Sequence, residues 1–291
     1  MNKKILISIN TSWNIINFRL GLLKALQKKG FDIVVLAPKD EYSGLFKEHN
    51  FEYHDIAMNN KGTNPIEDFK LTVSYYKILK EVKPDLILNY TIKPNIYGTI
   101  AANSLNIPCI NNIAGLGTLF VNENFITKIA KYLYKYSQSK AKFIFFQNNE
   151  DFELFTSEKL VDKNKCGILP GSGVDTNKFT PIENTNKDEK IRFLLISRML
   201  WDKGIQEYID AARELKKKYT NLEFQLLGFL DVSNKTAISK DQMDKWVKEG
   251  TVNYLGISDN VKVEISKCDC IVLPSFYREG TPRTLLESAS M

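Results

Sequence analysis

The chain has 291 residues, 43% hydrophobic and 25% charged, with a formal net charge of +6. That length suits two globular domains. The mild basic excess suits phosphates or an anionic membrane surface. It is not the clustered excess of a nucleic-acid binder, so no nucleic-acid partner is expected. The four cysteines, at 109, 166, 268 and 270, and the two histidines, His49 and His54, have no zinc-site or disulfide-framework spacing. No metal site is expected, and a reducing cytoplasm fits best. Both histidines read as surface or structural residues. The opening apolar run Ile5-Leu6-Ile7-Ser8-Ile9 is too short for a signal peptide and reads as a buried strand. No run approaches transmembrane length.

Apolar runs alternate with helical patterns along the chain. Strands are predicted at 4–9, 32–37, 52–56, 85–89, 108–112, 142–147 and 166–169, with helices at 18–29, 42–49, 65–80, 94–105, 124–138 and 148–157. Asn64-Pro65 is a cap-then-proline helix start, with Glu67 placed as in a capping box. A polar run from Asn184 to Lys190 reads as linker, and strands resume at 191–197, 222–227, 251–255 and 269–273. The predicted architecture is α/β, with two Rossmann-like doubly wound parallel-sheet domains. They span 1–180 and 191–291, joined by a linker over 181–190. Such a domain usually has about six strands. The second shows four, so it is expected to be incomplete, from a truncated chain, with its last strand an exposed apolar edge.

The most informative segment is Glu279-Gly280-Thr281-Pro282-Arg283-Thr284-Leu285-Leu286-Glu287. The run before it, Cys268-Asp269-Cys270-Ile271-Val272-Leu273-Pro274-Ser275, reads as a buried strand leaving the core. Thr281 is a good N-cap and Pro282 suits the first helical position. Glu279 then lies in the loop and Glu287 in the helix, roughly 7–8 Å along the axis from Pro282. The helix start can receive a phosphate. Upstream, Phe193-Leu194-Leu195-Ile196 is a strand followed by Ser197-Arg198-Met199-Leu200-Trp201-Asp202-Lys203-Gly204, which puts two cations in one strand-to-helix loop. The plainer alternatives are solvated acids and an ordinary charged loop.

These segments resemble the E-x7-E motif and the cationic loop of glycosyltransferase family 4, retaining enzymes of the GT-B fold. The resemblance implies that Glu279 contacts the donor sugar, Glu287 the ribose, and Arg198 and Lys203 the donor diphosphate. Fixed cations would stabilise the charge that develops on a departing diphosphate, without a metal or other cofactor. Gly280 and Thr281 join this donor-binding set. Gly228, after Phe224-Gln225-Leu226-Leu227, matches a glycine passing near the nucleotide, and residues 171–181 resemble the interdomain crossing.

On the acceptor side the match is looser. Family members often carry a glycine-rich loop after the first strand, whereas this chain has no glycine between residues 5 and 20. Thr11 and Ser12 could offer hydroxyls there, or the segment is a plain turn. Many members place a histidine after the fourth strand, where this chain has Ile92 and Lys93. Lys93 reads either as a point charge for an acceptor pyrophosphate or as an exposed lysine at a helix start. Gly115 and Gly117 flank Leu116 and suggest a close backbone approach or a tight turn, resembling a segment of bacterial surface-polysaccharide members. Residues 124–142 interleave lysines with aromatics. They read either as a helix on an anionic membrane surface or as one packed on the sheet with its lysines in water.

The function implied is transfer of a hexosyl or N-acetylhexosaminyl group, with retention, from a nucleoside diphosphate sugar of the UDP type. The acceptor would be a hydroxyl of a lipid-linked glycan at the inner face of the cytoplasmic membrane. A nucleotide-sugar epimerase and a non-catalytic sugar-nucleotide-binding remnant are the alternatives.

Overall fold

In a computed structural model, residues 2–59, 64–115, 125–184, 186, 188–230, 234, 236–276 and 280–291 are described. The chain divides into two compact units, Met1–Ser172 and Gly173–Met291.

The first unit carries strands β1 Lys4–Ser8, β2 Asp32–Ala37, β3 Glu52–Asp55, β4 Leu86–Tyr90, β5 Cys109–Ile113, β6 Phe143–Phe146 and β7 Cys166–Ile168. They form one sheet in the order β3-β2-β1-β4-β5-β6-β7, every pair parallel. Its helices are α1 Ser12–Phe18, α2 Leu20–Lys28, α3 Leu45–Glu48, α4 Pro65–Val82, α5 Thr99–Ser104, α6 Phe125–Lys140 and α7 Asn149–Ser157.

Side chains alternate across a strand, so both faces of a parallel sheet need cover. Ile5 and Ile7 pack with Ile15, Leu23, Ile33 and Val35 on the α1–α3 side. Leu6 packs with Val34, Leu36, Leu71, Tyr75 and Leu79 on the α4–α5 side. Buried Ser8 and Tyr75 join their hydroxyls at 2.7 Å. On that second side α4 packs on α5 and α5 on α6, giving one helical layer.

The second unit has strands β8 Ile191–Ile196, β9 Leu222–Leu227, β10 Asn253–Tyr254 and β11 Cys270–Ile271, with helices α8 Ile205–Lys216, α9 Lys240–Lys248, α10 Val261–Ser266 and α11 Arg283–Ala289. The sheet order is β10-β9-β8-β11, all parallel. It repeats the β3-β2-β1-β4 order of the first unit. Residues near the division pack into this unit: Ser290 Oγ donates to the Phe179 carbonyl, and Lys262 Nζ donates to Thr180 Oγ1.

Several local expectations are corrected. The predicted helix 18–29 begins earlier and is broken at Arg19, because Thr11 caps a separate turn by accepting from Asn14 N. Predicted helix 94–105 opens with a π-helical turn, Pro94–Gly98. Asn64 caps α4 as expected, but Glu67 accepts from Asn59 and does not reach back to Asn64. Thr281 is not the N-cap of α11. Pro282 holds that position and the helix starts at Arg283. The run into Ser275 is not a buried strand. Only Cys270–Ile271 is strand, at the end of the sheet, and its side chains are exposed or half-buried because no strand covers its outer edge among the described residues.

Candidate active site

In the second unit β8 ends at Ile196 and the chain turns through Ser197–Gly204 into α8. This loop is pinned from beneath. Met199 and Leu200 are buried. Met199 N donates to the Phe229 carbonyl, Trp201 N to that of Thr236, and the Thr236 hydroxyl to Asp202 Oδ2. Trp201 meets buried Trp246 edge-on at 5.7 Å. Arg198 is exposed and Lys203 half-buried on this rigid turn.

Two glycines bring neighbouring strand ends onto it. A Cβ on Gly228 (φ +141°) would lie 1.9 Å from the Ser197 carbonyl oxygen, and one on Gly204 (φ +72°) 2.3 Å from that of Pro274. No other residue permits either contact. Gly228 N also donates to the Gly256 carbonyl, and Tyr254 OH to that of Gly228. The chain segments after β8, β9, β10 and β11 are therefore linked at the loop that carries Arg198 and Lys203. In the order β10-β9-β8-β11 the strand order reverses between β8 and β11. Open α/β sheets bind ligands at that point.

Ser275, which sequence reasoning missed, follows Pro274 in this cluster. Its Oγ is buried and has no hydrogen-bond partner. An orphaned buried hydroxyl at a ligand rim is a candidate ligand contact; its only sequence signal was its place at the end of the apolar run. Glu279 lies outside the described residues, as does Gly117. Gly280 and Thr281 are half-buried before α11. Glu287 is in α11, mostly buried, with one oxygen, Oε1, taken by Arg283 Nε at 2.9 Å and Nη2 at 2.8 Å.

The first unit has its own switch point, between β1 and β4. Thr11 is half-buried and caps α1. Ser12 is fully buried, donates to the Pro38 carbonyl at 2.9 Å and accepts from Ser43, so its hydroxyl locks two loops together and is not presented to a ligand. Arg19, at the break after α1, stacks its guanidinium 4.4 Å over the Tyr90 ring at the end of β4. Gly115 has φ +114°, a backbone that needs glycine.

Lys93 is not an exposed lysine. Its Nζ donates to Asp68 Oδ1 at 2.6 Å, the two side chains being 13% and 12% exposed. Tyr97 OH donates to Asp68 Oδ2 at 2.8 Å, and burial, then Asp68, holds its phenol well above the ordinary value. The turn leading there passes through Thr91 at φ +66°, a left-handed conformation that is unusual for a β-branched residue. His54 bonds Glu52 at 2.8 Å, a structural contact. Among the described residues no three His, Cys, Asp or Glu side chains gather as a metal-ligand set.

Residues 4–148 match the family model described as "Glycosyl transferase 4-like", and residues 177–291 match "Glycosyl transferases group 1". The chain belongs to the family 4-type glycosyltransferases of the GT-B fold. Among curated relatives, this glycosyltransferase is similar to an N,N'-diacetylbacillosaminyl-diphospho-undecaprenol alpha-1,3-N-acetylgalactosaminyltransferase of Campylobacter jejuni. The two are 29% identical over 94% of this chain and 75% of that protein. It is 27% identical, over 77% of this chain and 60% of the other, to a UDP-Gal:alpha-D-GlcNAc-diphosphoundecaprenol alpha-1,3-galactosyltransferase of Escherichia coli. In fold it is similar to the crystal structure of a glycosyltransferase from Rickettsia africae, with a TM-score of 0.76 at 17% identity, covering 100% of this chain and 77% of that one.

Proposed function

We propose that this glycosyltransferase moves a hexosyl or N-acetylhexosaminyl group from a UDP-sugar to a hydroxyl of a diphospholipid-linked glycan, with retention and without a metal. The observation that carries the reading is the close approach of Gly228 and Pro274 to the Ser197–Gly204 loop, which carries Arg198 and Lys203 at the β8/β11 switch point. Arg198 and Lys203 hold the donor diphosphate and Ser275 donates to it. Glu279 orients the donor sugar. Glu287 keeps Oε2 for a ribose hydroxyl while Arg283 fixes Oε1. The bond from the anomeric carbon to the diphosphate breaks, and the acceptor oxygen bonds the same face. The acceptor proton passes to the departing phosphate oxygen, whose growing charge the two cations stabilise.

On the acceptor unit, Thr11 and Gly115 stand at the rim, while Ser12 and Lys93 fix loops beneath it. The relatives' names, with their diphosphoundecaprenol-linked sugars, support a lipid-linked acceptor. No helix among the described residues is long and apolar enough to cross a membrane. The outer face of α6 supports surface contact instead. Ile129, Tyr132 and Tyr136 are exposed, Tyr132 at 70%, beside exposed Lys128, Lys135 and Lys140. In the same layer α4 exposes Ile66, Phe69 at 69% and Tyr76, beside Lys70, Lys77 and Lys80. Aromatic and basic groups together suit an anionic lipid headgroup layer, here the inner face of the cytoplasmic membrane.

The test is a panel of nucleoside diphosphate sugars assayed for released nucleotide, with and without a prenyl-diphosphate-linked acceptor. Release from a UDP-sugar that requires the acceptor supports the reading. Turnover without acceptor would point to an epimerase and overturn it.

A further inference from the structure

We infer that Trp13 is the platform on which the first unit seats a pyranose ring of the acceptor, an inference that rests on the glycosyl-transfer reading above. Trp13 follows β1 by five residues on the ligand-facing rim, at the β1/β4 switch point. It is the second residue of α1, whose far end is tied to β4 by the Arg19–Tyr90 stack. Helix and residue therefore stand at the end of the sheet where such folds bind ligands.

Trp13 is exposed, at 36%, yet held from several sides. Its backbone N–H donates to Asp40 Oδ2 at 3.0 Å, while Asp40 Oδ1 accepts from Tyr42 N and so fixes the carboxylate. Its carbonyl accepts from Asn17 Nδ2 at 2.9 Å. Phe18 meets its ring edge-on, centroids 5.0 Å apart and planes at 84°. A large apolar ring left in water needs no such bracing for stability. The Phe18 contact restricts the direction of its face and the backbone bonds hold the turn that carries it, which lowers the ordering cost of binding. The electron-rich face of an indole attracts the C–H groups on the apolar side of a pyranose, a contact selective for a sugar over a bare lipid diphosphate. Trp201, equally exposed, serves a different purpose, since it packs on Trp246 inside the second unit.

The test uses the full chain and two probes, a short prenyl diphosphate bearing one N-acetylhexosamine and the same prenyl diphosphate without sugar. Intrinsic fluorescence is titrated for the wild type, W13F and W13A, with folding checked by circular dichroism. Only three tryptophans exist, and Trp201 and Trp246 stay in every variant. In the wild type, emission is expected to change with the sugar-bearing probe and not with the bare one. W13F should lose the change while keeping most of the affinity, and W13A should bind the sugar-bearing probe about tenfold more weakly. Acceptor KM should rise with donor KM unaltered. Wild-type affinity for the sugar-bearing probe in W13A, or equal emission changes with both probes, overturns the inference alone. Failure of the wild type to bind either probe overturns the acceptor reading and the inference with it.

Discussion

Gly204 and Pro274 touch so closely that a Cβ on the glycine would sit 2.3 Å from the proline carbonyl oxygen. They stand on the loops after β8 and β11, the two strands flanking the switch point of the second sheet. Replacing Gly204 with Ala should therefore cost on the order of 2–3 kcal/mol, by strain at positive φ plus overpacking. Gly250 has a similar φ of +69° but nothing within 4 Å of its would-be Cβ. G250A should cost only about 1 kcal/mol. Urea unfolding of both variants checks the difference, and equal losses would show that the 204–274 contact does not constrain the loop.

The Lys93–Asp68 pair is an ion pair little exposed to water. Removing one partner leaves the other charge buried, so K93M and D68N should each lose about 3 kcal/mol. The double variant should recover much of that loss. A double-mutant cycle by denaturant unfolding measures the coupling. Additive losses would mean the pair holds nothing.

Glu223 gives a pH dependence. Burial opposes its ionisation, but bonds from Gln225 and Asn253 and the charges of Arg192 and Lys190 outweigh that and hold the carboxyl below its ordinary 4.5. A carboxyl with a lowered folded pKa stabilises the fold above its unfolded value, and that stability is lost as pH falls through the folded value. E223Q should flatten the acid-side slope of stability over roughly pH 5 to 3. A variant whose slope matches the wild type would remove Glu223 from the account.

The exposed faces of α4 and α6 predict binding to vesicles containing anionic lipid, weakened by salt. Combining Tyr132→Ser and Tyr136→Ser should reduce co-sedimentation about tenfold, and Lys128→Glu with Lys135→Glu should act similarly. Unchanged binding in both would confine these faces to solvent.

Much of the fold was legible because buried parallel strands announce themselves as apolar runs and because caps act locally. Asn64-Pro65 starts α4 as the residues suggest. The cationic loop was legible too, since a strand, two fixed charges and an amphipathic helix follow in order. The first loop was not. Without glycine it reads as a loop offering hydroxyls or as a plain turn, but Thr11 capping and burial of Ile15 make it helical. Lys93 misled for another reason. Its partner Asp68 is twenty-five residues away, and only the packing of α4 against the π-helical turn brings them together. Ser275 and the Arg19–Tyr90 stack likewise depend on which strand ends meet, which sequence spacing does not encode.

Whether Arg198 and Lys203 hold a nucleotide's diphosphate, as proposed, is measured by calorimetric titration of UDP and of uridine into the wild type, R198A and K203M. The wild type should bind UDP far more tightly than uridine. Each variant should lose about tenfold or more for UDP and nothing for uridine. UDP affinity unaltered in both variants would rule out that role for the two cations.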